Sequence, residues 1–222
     1  MYKNYITLLN TLILKLFNIF SRMNIFANPN EMIKFARDFV KNRIYSLEKD
    51  VKYCLRESSS PVKYAPYPAL LYCFSTIDLL GYLLKGDIES GTTINSKRYM
   101  KGFMNYTTEQ TDLLINIFRH KLVHLAEPKF VYRDTKKRNI TWKYYHDDAE
   151  NHLKIEEVNL TINITSTYSI HATHRFNIGI MQLMDNIKDS VERSTGYLDT
   201  LETTPNLQNN FSNAIEQIYQ NS

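Results

Sequence analysis

An arginine and a histidine separated by four residues are the feature of this 222-residue chain that most clearly suggests chemistry. Arg119 and His124 lie near the end of an apolar-patterned segment. Arginine is always charged and binds phosphate bidentately, while imidazole titrates near neutral pH and can carry protons. The pair therefore suits metal-free cleavage of RNA: the ribose 2′-hydroxyl attacks phosphorus, His124 transfers protons, and Arg119 neutralises the developing charge.

The helix that carries this pair is predicted to run from Asp112 to Ala126. On a regular α-helix Arg119 and His124 flank a polar face at about 140° from each other, so they do not point at each other. A two-fold axis near that face would bring in a second copy of both side chains, which predicts a composite site in a homodimer. The apolar stripe of this helix is predicted to consist of Leu114, Phe118, Leu122 and Leu125.

Periodicity along the rest of the chain predicts a mainly α fold. Helices are expected at about 31–55, 69–84 and 176–191, and 91–104 is expected to be a polar, irregular connection. Apolar residues alternate around Trp142 and again from Val158 to Ile164, which predicts strands joined across a polar turn at 147–151, with a third short strand at 167–171. The expected architecture is an antiparallel four-helix core with a small antiparallel β-sheet or hairpin, at about 129–171, inserted between its third and fourth helices.

Three regions divide the chain in this interpretation. Residues 1–27 are expected to form an N-terminal amphipathic extension, 28–199 the helical domain with its β insertion, and 200–222 a polar tail with a weak helix. The apolar run at 5–20 is shorter than a membrane-spanning helix. It is expected to pack on the body or on a partner, with contact to a membrane surface as the alternative, and Met23 is an alternative native start.

The arginine–histidine segment resembles the signature of the HEPN superfamily. The resemblance lies in Phe118-Arg119-His120-Lys121-Leu122-Val123-His124 and in an apolar preceding helix that contains Asp78. It implies a homodimer that cuts RNA without a cofactor, in toxin–antitoxin or antiphage defence, together with an antitoxin or defence partner. It also implies that Arg119 and His124 are catalytic, that His120 is the polar residue at the second motif position, and that Asp78 orients the arginine.

A basic segment with interleaved aromatic residues follows this helix. Such a mixture suits phosphate contacts and base stacking. The candidate RNA-binding residues are Arg133, Lys136, Lys137, Arg138, Lys143 and Trp142. The alternative interpretation is a solvated turn whose charges protect a sheet edge from aggregation.

The composition of the chain permits some functional classes and disfavours others. The formal net charge of +4 permits an RNA partner without requiring one. Two cysteines without ligand spacing favour a reducing cytoplasm. His120 and His124 share a helix face but lack the glutamate of a zinc-protease motif, so no metal site is predicted. The alternative to a ribonuclease is a non-catalytic module that dimerises or binds RNA or protein through the same helices.

Overall fold

The computed structural model describes residues 25–56, 65–87 and 91–220, and it confirms a mainly helical chain with one small sheet. The expected amphipathic segment at 1–27, including the apolar run at 5–20, lies almost wholly outside these residues. The helices are α1 (Pro29–Leu55), α2 (Pro66–Lys85), α3 (Thr92–Phe103), α4 (Thr108–Leu113), a π-helical turn (Leu114–Arg119), α5 (His120–Leu125), α6 (Ile180–Glu192), α7 (Tyr197–Thr203) and α8 (Pro205–Gln220). The strands are β1 (Tyr132–Arg133), β2 (Asn139–Tyr145), β3 (Ile155–Asn163) and β4 (Ser169–Gly179).

Helix α2 is the centre of the helical layer and packs against α1, α3 and α8. Proline occupies its first turn, where no backbone donor is needed, and Gly86 ends it in the left-handed conformation at φ 80°. By length and composition α2 is apolar enough to cross a membrane, a property that buried core helices share. Its residues Leu70, Phe74 and Ile77 are buried in the protein core.

Helix α3 replaces the irregular connection that was expected at 91–104, so that prediction was wrong. The four buried residues of α3 have helical spacing, but two of them, Asn95 and Ser96, are polar, which concealed the stripe from a hydrophobicity pattern. Helix α3 packs closely on α2 at Gly81, where a β-carbon would lie only 2.6 Å from the carbonyl carbon of Asn95. The absence of a side chain at Gly81 therefore sets the distance between these two helices.

The segment from α4 to α5 is continuous but is not a regular α-helix. Thr107 and Gln110 form a reciprocal capping box at its start. The amide of His120 then donates to the carbonyl of Ile115, five residues back, so the intervening turn holds one residue more than an α-helical turn. The predicted apolar stripe is buried on both sides of this turn, at Leu114, Phe118 and Leu122, whereas Leu125, the last residue of α5, is 65% exposed.

The four strands form a mixed sheet in the order β1-β2-β4-β3, which differs from the antiparallel sheet that was predicted. Strands β2 and β4 are parallel, and the hairpin joins β3 to β4 rather than β2 to β3. The prediction missed the length of β4 because Phe176 to Gly179 are all buried and show no alternation. A strand covered on both faces lacks the period-two pattern, so the sequence here predicts the start of the following helix instead.

The C-terminal helix α8 is longer than the weak helix expected at 200–222, and it belongs to the core. It buries Leu207, Phe211, Ala214 and Ile215. The side-chain amide of Asn210 also donates to the carbonyl of Leu84 at 2.9 Å, which satisfies an acceptor at the end of α2.

Candidate active site

Arg119 ends the π-helical turn and is held by hydrogen bonds from two other helices. Its Nε and Nη2 atoms donate to Oδ2 of Asp78, at 3.1 and 2.9 Å, and its Nη1 atom donates to the hydroxyl of Thr93 at 3.2 Å. The second carboxylate oxygen of Asp78 accepts from the hydroxyl of Ser96. The side chains of Arg119 and Asp78 are only 11% and 18% exposed. The guanidinium plane is therefore fixed in a setting where solvent screens the ion pair weakly.

The close approach of α3 to α2 supplies this arrangement. Asp78 lies on α2 less than one turn before Gly81. On α3, Ser96 is part of the contact with Gly81, and Thr93 lies less than one turn before it. These two hydroxyls were not predicted, because 91–104 was interpreted as a loop. The sequence indicates them only weakly. A threonine and a serine three residues apart lie on one face of a helix, but this spacing is informative only if the segment is already known to be helical.

His120, directly after Arg119, is a neutral acceptor for the same guanidinium. Its Nδ1 atom lies 3.3 Å from Nη1 of Arg119. Burial, followed by the positive charge of Arg119, lowers the pKa of His120 below its usual value. The unprotonated imidazole thus orients the arginine without repelling it.

His124 differs from His120 because it is exposed to solvent, on the last turn of α5. No hydrogen bond joins it to Arg119 in the described chain. Its neighbours Val123 and Leu125 are 49% and 65% exposed, which is unusual for aliphatic side chains beside a buried ion pair. One chain therefore presents the arginine and the histidine separately, next to an apolar surface.

The guanidinium retains capacity for a ligand. Arginine has five N–H donors. The contacts of Arg119 with Asp78, Thr93 and His120 account for the Nε hydrogen, both Nη1 hydrogens and one Nη2 hydrogen. Within the part of the chain that is described, one Nη2 hydrogen is left for an incoming oxygen.

Two of the cations predicted to bind RNA are engaged within the protein. Arg138 donates to Asp134 and to Glu109, and Lys136 donates to Glu109 at 2.9 Å. The hydrogen bond from Lys136, aided by that from Arg138, lowers the pKa of Glu109 below its usual value. Glu109 lies on α4, 27 residues before Lys136, so residue spacing did not indicate this ion cluster. It ties the basic turn to the helix that leads to Arg119.

The other residues predicted to bind RNA differ in their exposure to solvent. Arg133, Lys137 and Lys143 are exposed, and Nζ of Lys143 lies 4.6 Å from the ring centroid of Tyr145. Trp142 is only partly accessible, because its ring packs edge-on against Phe118 at a centroid distance of 5.6 Å. Its Nε1 atom donates to the carbonyl of Lys129 at 2.9 Å. Trp142 thus joins the sheet to the π-helical turn that carries Arg119, a packing role that the sequence did not reveal.

Within residues 25–56, 65–87 and 91–220, no three histidine, cysteine, aspartate or glutamate side chains are grouped so that they could hold a metal ion. Comparisons of the chain with protein-family models, with curated proteins and with solved structures gave no match.

Proposed function

We propose that this protein is a HEPN-like endoribonuclease that cuts RNA without a metal ion, at a composite site formed by two copies of the chain. The observation that carries the proposal is the oriented guanidinium of Arg119, fixed by Asp78 and Thr93 with one Nη2 hydrogen left for a ligand, close in sequence to the exposed imidazole of His124. A cytoplasmic toxin or antiphage protein with an antitoxin or defence partner is the setting that the HEPN resemblance suggests.

The proposed reaction needs only these two kinds of side chain. The 2′-hydroxyl loses its proton to His124 of one copy and attacks the adjacent phosphorus, and the P–O5′ bond breaks. The departing 5′-oxygen takes a proton from His124 of the other copy, leaving a 2′,3′-cyclic phosphate and a 5′-hydroxyl. Arg119 donates to a phosphate oxygen and stabilises the charge that grows there, most strongly if the site is shielded from water.

A second copy is expected to cover the apolar surface around this site. Ile94, directly after Thr93, is 55% exposed, and Val123 and Leu125 are exposed on α5. Burying these aliphatic side chains against their symmetry mates would favour association. The same contact would bring two exposed imidazoles together, which supports the composite site.

The proposal is tested by incubating the purified protein with RNA in EDTA and mapping the product ends. His124→Ala removes an exposed side chain, so it is expected to fold normally and to lose at least about a hundredfold in cleavage rate. Arg119→Lys retains the charge but not the fork of donors, and it is expected to lose cleavage as well. His171→Ala, which changes an exposed histidine on β4, is the matched control and keeps full activity. Cleavage that survives in folded His124→Ala refutes the assignment.

A non-catalytic binding module is the second candidate. The observation that favours it is the full engagement of Nε and Nη1 of Arg119 inside the chain, as in a purely structural ion pair. It predicts that the protein binds RNA or a partner protein but leaves RNA uncut in any buffer. It further predicts that charge reversal at Arg133 or Lys137 weakens that binding, whereas His124→Ala does not.

A further inference from the structure

The second half of strand β3 has an open outer edge and is unusually free of charge. Strand β3 is the last strand of the sheet, and within the described chain it pairs only with β4. From Val158 to Thr173 the sequence contains no aspartate, glutamate, lysine or arginine. Leu160 and Ile164 are 40% and 41% exposed. Natural edge strands normally carry charges or proline that prevent pairing with another chain. Strand β3 carries charge only at its start, at Glu156 and Glu157, and its second half has neither charge nor proline.

The hydrogen bonds of the hairpin show which backbone groups face outward. The amide of Ile164 donates to the carbonyl of Tyr168 at 2.9 Å, and the register continues with Ile162 opposite Ile170. Hydrogen-bonded and non-hydrogen-bonded pairs alternate along an antiparallel ladder. The N–H and C=O groups of Ile162 therefore face β4, and those of Thr161 and Asn163 face the outer edge.

We infer that this edge pairs with the same edge of a second copy, antiparallel, with Ile162 on the two-fold axis. In that register Thr161 exchanges two backbone hydrogen bonds with Asn163 of the partner subunit, and symmetry doubles them to four. Ile162 meets its own copy in a non-hydrogen-bonded pair, where side chains approach most closely. The two four-stranded sheets become one continuous sheet.

The pattern of side chains favours a second copy over any other occupant. Leu160 and Ile162 of β3 lie on the same face as Ile164, which directly follows the strand. The two-fold register therefore places Leu160 opposite Ile164 of the partner subunit and Ile162 opposite its own copy. Thr161 and Asn163 lie opposite each other on the other face. In every cross-strand pair of this register, apolar side chains therefore face apolar ones and polar side chains face polar ones. No pair places two like charges opposite each other. An RNA strand would find no cation on this segment.

This interface is independent of the proposed ribonuclease site, and proline substitution can test it. The N–H of Thr161 faces outward, so Thr161→Pro removes a hydrogen bond of the interface while leaving the ladder to β4 intact. Thr161→Val is the matched control, since it keeps the N–H and the β-branched shape. In sedimentation or light scattering at equal concentration, Thr161→Pro is expected to halve the mass of the assembly and Thr161→Val to leave it unchanged. Equal masses for two variants of equal melting temperature overturn the inference.

Cysteine cross-linking tests the register itself, including in a protein that also dimerises through α5. In a Cys54→Ser background, Ile162→Cys places two thiols directly opposite each other, and mild oxidation is expected to give a covalent dimer. Thr161→Cys places its thiol opposite Asn163 of the partner subunit and is expected to give none. The remaining native Cys73 is buried and does not compete. Equal cross-linking of both variants, or of neither, refutes the pairing whatever the outcome of the RNA cleavage assay.

Discussion

Replacing Gly81 by alanine is expected to destabilise the protein and to loosen Arg119. The new β-carbon would lie 2.6 and 2.7 Å from the carbonyl carbon and oxygen of Asn95 and 2.8 Å from the amide nitrogen of Ser96. All three are backbone atoms of α3, so no side chain can rotate away. Ordinary contact begins at 3.4 Å, so α3 must move by nearly 1 Å, roughly the scale at which overpacking costs about 1–3 kcal/mol.

Helix propensity opposes part of this cost. Alanine is better than glycine in a helix interior by about 1 kcal/mol, which leaves a net loss of about 2 kcal/mol if the overpacking cost is at its upper end. For a chain of this size that loss lowers the melting temperature by roughly 4–8 °C. The movement also carries Thr93 and Ser96 away from Arg119 and Asp78, so any RNA cleavage should fall further than the loss of folded protein explains.

Gly102→Ala is the matched control for Gly81→Ala. Gly102 lies on α3 itself, and a β-carbon there would meet nothing within 4 Å. Its replacement is expected to raise the melting temperature by up to roughly 4 °C through helix propensity alone. Calorimetric or fluorescence melting of the two variants beside the unmodified protein gives the comparison. If Gly81→Ala raises the melting temperature as Gly102→Ala does, no overpacking opposes its helix propensity. The helices are then not in the contact described, and the account of how Thr93 reaches Arg119 fails.

Three further changes test other parts of the structure. Asp78→Asn is expected to lower the free energy of unfolding in urea titrations by about 2 kcal/mol, because it leaves the charge of Arg119 poorly compensated. Asp112→Asn, at the more exposed ion pair with Lys97, should lower it by less than about 1 kcal/mol. Equal losses for the two variants would contradict this reasoning. Burial lowers the pKa of His152 from 6.5 to about 4. As the pH falls, the unfolded chain therefore takes up a proton at this position before the folded protein does. The contribution of His152 to the free energy of unfolding is complete above pH 6.5 and decreases by up to about 3 kcal/mol towards pH 4. The urea midpoint of His152→Gln should lack this decrease, and an unchanged decrease would show that other groups cause it. Trp142→Ala is expected to cost about 2–4 kcal/mol in urea unfolding, because it removes packing against the π-helical turn; unchanged stability with weaker RNA binding would instead make it a stacking residue.

The sequence predicted the parts of the fold that repeat a pattern along many residues. The helix at Pro29–Leu55 shows clear apolar periodicity, the helix at Pro66–Lys85 is a long and nearly all-apolar run, and the two alternating strands were also found. What failed depends on contacts between distant segments. The central strand β4 shows no alternation because both of its faces are covered, and α3 hides its stripe behind Asn95 and Ser96.

The residues of the candidate site were likewise predicted only in part. Arg119 and His124 were predicted from residue type and spacing, and His120 and Asp78 from the resemblance to the HEPN superfamily. The structure brings three of these four together, while His124 stays in solvent. The remaining partner of the arginine was not predictable. Thr93 reaches it only because of how closely two helices pack. The basic turn could be recognised by composition, but its capture by Glu109 could not.

The π-helical turn makes the direction of Arg119 depend on chain length as well as on residue identity. The turn holds one residue more than an α-helical turn, and each residue of a regular α-helix adds about 100° of rotation. If the same sequence continued from Thr108–Leu113 as a regular α-helix, Arg119 would point about 100° away from its present direction and off Asp78. Deleting one residue of this turn, such as Asn116, would instead return the segment to α-helical spacing with Arg119 still directed at Asp78. A one-residue deletion is therefore expected to be tolerated better in this stretch than in a regular helix such as Pro29–Leu55.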